Sequence, residues 1–343
     1  MMVIESRRHF YWLDAAKVIA AFCVVLLHVC AYFLDFSSVN DFNSWFVAAG
    51  YNSFTRFSVP LFVMVSGYLL LAENRIESIS VFYKKRFSKI LLPIVFWSLF
   101  FLLWTTIKFS LRGDAYSLED LLLLVVKGRP YSHMWYMYML IGLYMLSPFL
   151  KRLVCVLEKQ QLIVLIIILF FISMSNYLYR LWFQVERTFF LTWAFDYLPY
   201  FIFGHYLSRY NIKVHSGSLL FLYLVCCIGS WLLASLWFKC YKVESSFFWG
   251  YFSPFVVICS LSIIVLIKRI FVLESKFFQK ISPLTLGVYL IHPIFIDLLK
   301  YLKVSEVSSS YLIYILLCSF FVFILSAVVT KILLLLPFFR KVV

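Results

Sequence analysis

Long apolar runs recur along the 343-residue chain and constrain its fold more than any other feature. They approach or exceed about 18 residues, the length at which an α-helix can cross a lipid bilayer. Transmembrane β-strands would instead alternate apolar and polar residues over segments of roughly ten. The composition agrees, since 64% of the residues are hydrophobic and only 14% are charged, against about 25% charged in soluble domains. The sequence therefore predicts an all-α polytopic membrane helix bundle, with residues 1–343 forming one membrane domain.

The apolar runs divide into ten predicted transmembrane spans. Their predicted bounds are 12–34, 54–72, 90–108, 133–150, 161–178, 193–208, 217–238, 249–267, 283–300 and 311–336. The second and sixth are the weakest because both contain polar residues. In the longest predicted loop, 109–132, the stretch SLEDLLLLVVKG is too short to span, so it predicts an interfacial or re-entrant helix.

Basic residues are distributed unevenly between the two sides of these spans. With the N-terminus in the cytoplasm, the inner segments hold 19 lysines and arginines and the outer segments 11. Because basic residues favour the cytoplasmic side, both termini are predicted to be cytoplasmic. The formal net charge of +15 mostly reflects this bias, so no nucleic-acid partner is expected. The eight cysteines form no CxxC pair, so neither a metal nor a redox role is expected for them.

The first span, LDAAKVIAAFCVVLLH, carries three polar side chains among apolar neighbours. Lys17 and His28 are eleven residues apart, so a helix places them on one face, about 16 Å apart along its axis. Asp14 precedes Lys17 by three residues and shares that face. Such groups normally face the bundle interior or a wet cavity. The alternatives are an Asp14–Lys17 pair that snorkels at the interface and a His28 that only bonds across helices.

Two stretches near the predicted cytoplasmic side carry small or basic residues. In VPLFVMVSGYLL, Ser66 and Gly67 permit close helix approach. In the predicted loop that follows, YKKRFSKILLP holds four basic residues, Lys84, Lys85, Arg86 and Lys89. Such a cluster is typical of a topology signal or of anionic-lipid contact. It equally suits a ligand with several phosphates.

Histidines recur in two later spans. The stretch HMWYMYMLIGLYMLSP opens the fourth span with His133, Trp135 and Tyr136 at the predicted outer interface, where aromatic belts are common. The stretch SPLTLGVYLIHPIF places His292 near the middle of the ninth span. Two single polar residues of the sixth span fit packing and function equally well, Asp196 and His205.

Taken in order, these stretches resemble acyltransferase family 3, the multi-pass bacterial membrane acyltransferases. The similarity rests on WLDAAKVIAAFCVVLLH, VPLFVMVSGYLL, KKRFSKILLP, HMWYMYMLIGLY and LGVYLIHPIF. The chain is most similar to the stand-alone O-acetyltransferases of lipopolysaccharide O-antigen and of enterobacterial common antigen. The resemblance implies an enzyme of the bacterial inner membrane. It would move an acetyl group from cytoplasmic acetyl-CoA to a sugar hydroxyl of a surface or lipid-linked polysaccharide.

The resemblance also implies roles for individual residues. The first-span histidine of the family falls on His28, and its partner basic residue, usually arginine, falls on Lys17. The Arg-x-x-Arg of the family falls on Arg86 and Lys89. Two of these positions hold lysine instead of arginine, which keeps the charge but loses the bidentate fork.

A polar tunnel along the first span fits these implications. Cations at its inner mouth would hold the acetyl-CoA phosphates, and His28 would act as the general base on the acceptor hydroxyl. The expected donor-phosphate residues are Lys17, Lys84, Lys85, Arg86 and Lys89. The expected supporting or substrate-binding residues are Asp14, Lys17, Ser66, His133, Trp135, Tyr136 and His292. Membrane lipids are the remaining expected partners, and no metal or permanently bound cofactor is expected.

An alternative from another functional class is a proton-coupled transporter or exporter of glycans or lipids. Histidine, aspartate and lysine within spans suit proton relays. Transporters often show repeated halves, and no such repeat is evident in this sequence.

Overall fold

The computed structural model describes residues 10–37, 42–72, 78–111, 113, 117–186, 189–241, 245–303 and 311–343. Within these ranges the chain forms α-helices and short 3-10 turns, without β-strands. The α-helices are α1 (Tyr11–Ser37), α2 (Phe42–Thr55), α3 (Ser58–Leu70), α4 (Ile79–Ser110), α5 (Leu118–Val126), α6 (Trp135–Val156), α7 (Lys159–Trp182), α8 (Trp193–Arg209), α9 (Ser216–Tyr241), α10 (Ser246–Trp249), α11 (Pro254–Ile270), α12 (Lys276–Ile281), α13 (Thr285–Tyr301) and α14 (Tyr311–Leu333).

Nine helical segments in the described ranges are long and apolar enough to cross a membrane. The prediction of an all-α polytopic bundle is therefore confirmed. α2 and α3 together form one of these segments, and α10 and α11 form another. α8 is shorter, with 17 residues, which is about the lower limit for a span.

α8 lies beside α6 and points in the same direction. Near the start of α8, Ala194 faces Gly142 of α6. At the other end, the Arg209 guanidinium donates to the carbonyl oxygens of Val154 and Leu157, at 3.2 and 3.3 Å. α8 thus connects the same two ends of the bundle as α6, as expected of a tenth crossing. Following the predicted orientation, we call the end at which α1 begins the cytoplasmic end and the opposite end the outer end.

The second predicted span was placed too late in the chain. Its helical segment begins at Phe42 rather than at residue 54. Polar residues such as Asn52 and Ser53 weaken the apolar signal of α2, yet both side chains are buried against other helices. Packing inside the bundle thus accommodates polar residues that would be unfavourable on a helix surrounded by lipid.

The predicted basic loop before residue 90 is also wrong. α4 begins at Ile79, so the basic stretch lies on its first turns. The Ser78 hydroxyl caps the helix by accepting from the backbone N–H of Val81 at 3.4 Å. Since lysine and arginine are good helix formers, the charged stretch prolongs α4 beyond its apolar part.

The stretch SLEDLLLLVVKG forms the short helix α5. Ser117 and Asp120 cap its N-terminus reciprocally, and none of its residues is buried. This fits an interfacial helix and excludes one that is inserted among the spans.

α1 is the central helix of the bundle. It packs against α2, α3, α11, α13 and α14, and two apolar clusters meet along it. Small side chains such as Ala16, Ala20 and Ala21 are almost fully buried on it, and they let neighbouring helices approach closely. Polar side chains on α1 are therefore surrounded by helices.

α3 and α8 touch at two glycines. A Cβ atom at Gly67 would lie 1.9 Å from the carbonyl oxygen of Phe201, and one at Gly204 would lie 2.0 Å from that of Met64. Both distances are far shorter than any real contact, so only glycine fits at either position. The close helix approach that Ser66-Gly67 predicts is confirmed.

Candidate functional site

Three histidine side chains form a row in the outer half of the bundle. His28 lies on α1, His292 on α13, and His133 two residues before α6. The ring centroids of His28 and His292 are 5.1 Å apart, and those of His292 and His133 are 5.4 Å apart. His28 is partly exposed, whereas the other two are almost fully buried. The structure thus brings together three histidines from distant parts of the sequence, with His28 at the accessible end.

Pro293 explains how the His292 ring is held. Proline has no backbone N–H, so the Tyr289 carbonyl oxygen lacks its usual helical donor. The His292 Nδ1 atom lies 2.8 Å from that oxygen. A carbonyl only accepts, so Nδ1 carries the proton and donates. In the neutral ring Nε2 is then an acceptor, and it is buried without a hydrogen-bond partner among the described residues.

His133 is positioned by Tyr289 of α13 and by Phe101 of α4. The Tyr289 hydroxyl donates to the backbone carbonyl of His133. The Phe101 and Tyr289 rings flank the His133 imidazole, with centroids 4.9 and 5.2 Å away. The row of histidines is therefore packed between aromatic side chains at its buried end.

Asp297 forms a polar cluster beyond the histidines. Its Oδ2 atom accepts from Trp104 Nε1 at 2.8 Å, from Lys108 Nζ at 2.9 Å and from the Tyr131 hydroxyl. Burial, together with the neighbouring carboxylate, raises the pKa of Tyr131, so its hydroxyl remains a donor. The cluster ties α4 and α13 to the segment that carries His133.

Trp135 and Tyr136 line the space beside this row. Trp135 packs against Tyr251, with ring centroids 5.7 Å apart, and Tyr136 packs against Tyr289 at 5.6 Å. Ser66 of α3 lies beside the Tyr136 hydroxyl. Trp135, Tyr136 and Ser66 thus each contact side chains from other parts of the bundle.

Arg56 is a charged residue of this region that the sequence analysis did not single out, as it also did not single out Tyr289 and Asp297. It lies between α2 and α3, where the helix is interrupted. Its guanidinium carbon is 5.9 Å from the ring centroids of both Trp249 and Tyr251, and its positive charge, like that of Lys300, acts electrostatically on His28. The sequence did contain an indication of its importance, because Arg56 is a lone arginine within the predicted second span.

The cytoplasmic end of α1 carries the other polar residues of the first span. Asp14 is buried and Lys17 is partly exposed, about 16 Å from His28 along the helix axis. On α4, Arg86 is partly buried and its Nε atom has no hydrogen-bond partner among the described residues. The other three basic residues of that stretch are exposed, namely Lys84, Lys85 and Lys89.

Asp196 has a packing role that separates it from the histidines. It accepts from Asn176 and from Arg180, both at 2.9 Å, which joins α7 to α8. Two cavities of about 280 and 320 Å³ open around Arg180 at the outer end of α7, and the three clustered histidines line neither. His205 is fully buried in α8, outside the row. Within the described ranges, no group of His, Cys, Asp and Glu side chains has an arrangement suited to a metal ion.

Comparison with known proteins gives one match. The model of the acyltransferase 3 family, described as an acyltransferase domain, matches residues 10–331. No curated protein and no solved structure matches the chain.

Proposed function

The chain belongs to the acyltransferase 3 family, and from this premise we propose that it is an acetyl-CoA-dependent O-acetyltransferase. The proposed acceptor is a sugar hydroxyl of a surface or lipid-linked polysaccharide at the bacterial inner membrane. Family membership favours this activity over proton-coupled transport. The observation that carries the proposal is the pairing of His28, in the outer half of α1, with His292 of α13. Lys17 lies on the same helix as His28, near its cytoplasmic end.

The geometry of α1 suits a donor that enters from the cytoplasm. Lys17 and His28 share one face of this central helix, about 16 Å apart along its axis. A long pantetheine arm can bridge such a distance, with the CoA phosphates near Lys17 and Arg86 and the thioester near His28. Phosphate would also give the buried Nε atom of Arg86 a charged acceptor, which it lacks among the described residues.

His28 has the role of general base in the proposed reaction. Its neutral imidazole takes the proton of the acceptor hydroxyl while that oxygen forms a bond to the thioester carbonyl carbon. The carbonyl electron pair moves onto oxygen and gives a tetrahedral oxyanion. When the C=O bond re-forms, the C–S bond breaks and its electron pair leaves on sulfur. The His28 imidazolium then returns the proton to sulfur, which gives the free thiol of CoA.

His292 supports His28 in this scheme. Its ring lies 5.1 Å from the His28 ring, centroid to centroid, and its Nε2 atom is a buried acceptor without a partner among the described residues. In the proposed scheme this Nε2 accepts an N–H of His28 and fixes the tautomer of that ring. Asp14 lies about 21 Å away along α1 and cannot do so. The orienting group for the base therefore comes from α13.

Labelled acetyl-CoA, offered to the purified protein with lipid-linked glycan acceptors, tests the proposal. The expected products are acetylated glycan and free CoA. We expect His28→Ala to fold and bind donor normally and to lose about 10²–10⁴ in rate, as is typical when a general base is removed. His215→Ala is the matched control, because His215 is exposed at the cytoplasmic end and its loss should leave the rate unchanged. A well-folded His28→Ala protein with full turnover would refute the role of His28.

Glycan mass spectrometry of deletion and complemented strains tests the acceptor independently. The deletion strain should lose an acetyl increment from one glycan, and the parent gene, but not the His28→Ala gene, should restore it. An unchanged set of glycans would refute the proposed acceptor class.

A further inference from the structure

Two helix interruptions face each other near the centre of the bundle. One separates α2 from α3 at Arg56 and Phe57, and the other separates α10 from α11 at residues 250–253. Trp249 joins them, since its Nε1 atom donates to the Ser53 hydroxyl at 2.9 Å. Interrupted helices expose backbone polar groups, which membrane proteins tolerate only inside protein or beside a polar cavity.

Buried polar atoms without partners are concentrated at these interruptions. Among the described residues, four side chains there have a buried nitrogen or oxygen without a hydrogen bond, namely Asn52, Arg56, Ser58 and Ser253. Ser58 and Ser253 are completely buried. Buried polar groups are normally hydrogen-bonded. Four buried side chains with an unpaired polar atom at the two helix interruptions therefore indicate a ligand-binding site.

Arg56 is the charged member of this group. Its guanidinium lies over the Trp249 and Tyr251 rings, and no salt bridge to it is found within the described ranges. A guanidinium is always protonated in proteins, and a charge at membrane depth costs several kcal/mol unless it meets a partner. The aromatic faces stabilise the cation but leave its Nε donor unused. The missing partner is therefore an anion.

Arg56 and His28 lie at similar depth in the bundle. Their helices can be aligned at the Trp12–Tyr68 contact, where the ring centroids are 4.9 Å apart. From that level His28 is about 24 Å along α1 and Arg56 about 18 Å along the α3–α2 segment. This is consistent with the charge interaction between Arg56 and His28. An anion at Arg56 would therefore lie within reach of the base.

We propose that Arg56 is a catalytic residue that binds the thioester carbonyl oxygen and stabilises the oxyanion formed during acetyl transfer. This inference rests on the proposed function. As the acceptor oxygen bonds to the carbonyl carbon, the carbonyl pair moves onto oxygen beside the guanidinium. The carbonyl pair moves back to re-form the C=O bond when the C–S bond breaks, and the C–S electron pair leaves on sulfur. The oxyanion forms only in the tetrahedral intermediate and the transition states that flank it. An interaction with Arg56 that is strongest there acts chiefly on kcat.

Kinetics of Arg56→Gln, Arg56→Ala and Arg56→Lys test the assignment. We expect Arg56→Gln and Arg56→Ala to lose about 10²–10³ in kcat, as for other oxyanion donors, with acceptor KM and acetyl-CoA affinity near parental. Arg56→Lys should lose less kcat, because lysine keeps the positive charge. It should still fall below the parent, because lysine lacks the planar guanidinium donors of arginine. Methylguanidine should restore part of the kcat of Arg56→Ala. It should not do so for the control Arg209→Ala, since Arg209 donates only to backbone carbonyls in the bonds described for it.

A second readout does not depend on the acceptor. In the parent protein, the infrared carbonyl stretch of bound ¹³C-labelled acetyl-CoA should lie at lower wavenumber than in Arg56→Gln. Equal stretches, or an unchanged kcat with a raised acceptor KM, would overturn the assignment and indicate instead that Arg56 binds an anionic group of the acceptor. A parent protein that binds no acetyl-CoA would refute the proposed function itself, and this inference with it. A parent that transfers acetyl groups while all three variants match it would refute only the role of Arg56.

Discussion

The His28 ring on α1 lies 5.1 Å from the His292 ring on α13, centroid to centroid. The Tyr289 carbonyl, left without a helical donor by Pro293, holds His292 Nδ1. The proline of this span therefore has a consequence for the site, because the carbonyl that it leaves free fixes which nitrogen of His292 carries the proton. The two rings form a pair in which one is accessible and the other is buried.

His292→Phe should reduce transfer about tenfold or more while donor affinity stays parental. Phenylalanine preserves an aromatic ring in the packing but removes the Nε2 acceptor that orients His28. In a double-mutant cycle, His292→Phe should add little to the loss caused by His28→Ala, since residues that act as a unit are not additive. Rates measured on equal amounts of folded protein would show this. Fully additive losses would contradict the pairing.

Gly67→Ala should destabilise the protein by about 1–3 kcal/mol or more, as overpacking does. The added methyl would lie 1.9 Å from the Phe201 carbonyl oxygen, and backbone cannot move aside as a flexible side chain can. Thermal unfolding in detergent measures the effect. Gly229→Ala is the control, because the nearest atom there is a Phe255 ring carbon at 3.3 Å. If both variants unfold like the parent, the α3–α8 contact is looser than described.

The spans and their order could be predicted because membrane length and hydrophobicity act locally along the chain. Individual positions such as Gly67 could also be interpreted, since small residues at helix contacts follow a simple steric rule. The start of α2 was missed because its polar residues, such as Asn52, are buried by distant helices. The proximity of His28 to His292 depends on how α1 packs against α13, and no local pattern encodes that contact. Arg56 was overlooked for the same reason. Its significance depends on the packing of the α2–α3 interruption against the interruption between α10 and α11, which are distant in sequence.

Asp297→Asn should lower the free energy of unfolding by about 1–3 kcal/mol, as when a partly buried donor loses its charged partner. The substitution leaves the Lys108 ammonium without its carboxylate. Lys108→Met should cost less, and the Lys108→Met/Asp297→Asn protein should be more stable than Asp297→Asn alone. Thermal unfolding provides the comparison, with Asp120→Asn in the exposed cap of α5 as the control. A double variant that is no more stable than Asp297→Asn alone would argue against an electrostatic role for the cluster.

Reporter fusions should place both termini in the cytoplasm. Fusions after Val343 and between Ala72 and Ser78 should read cytoplasmic, whereas a fusion at Gly113 should read extracytoplasmic. The reason is the excess of basic residues on one side of the spans. The inverted pattern would place the Lys17 end of α1 outside and would remove the route by which cytoplasmic acetyl-CoA reaches His28.

Arg86→Ala should weaken acetyl-CoA binding about tenfold or more, while acceptor binding changes little. Charge-assisted hydrogen bonds contribute about 1.5–3 kcal/mol each, and the buried Nε of Arg86 is available because it has no partner among the described residues. Lys89 follows Arg86 by one turn on α4, so Lys89→Ala should show a smaller loss through the same phosphates. Titration with labelled acetyl-CoA would measure both variants. Lys276→Ala is the control, since Lys276 is another exposed lysine at the cytoplasmic end and should keep parental affinity. If Arg86→Ala also binds donor like the parent, the basic turns of α4 serve membrane topology or lipid contact, and the phosphate site must be sought around Lys17 alone.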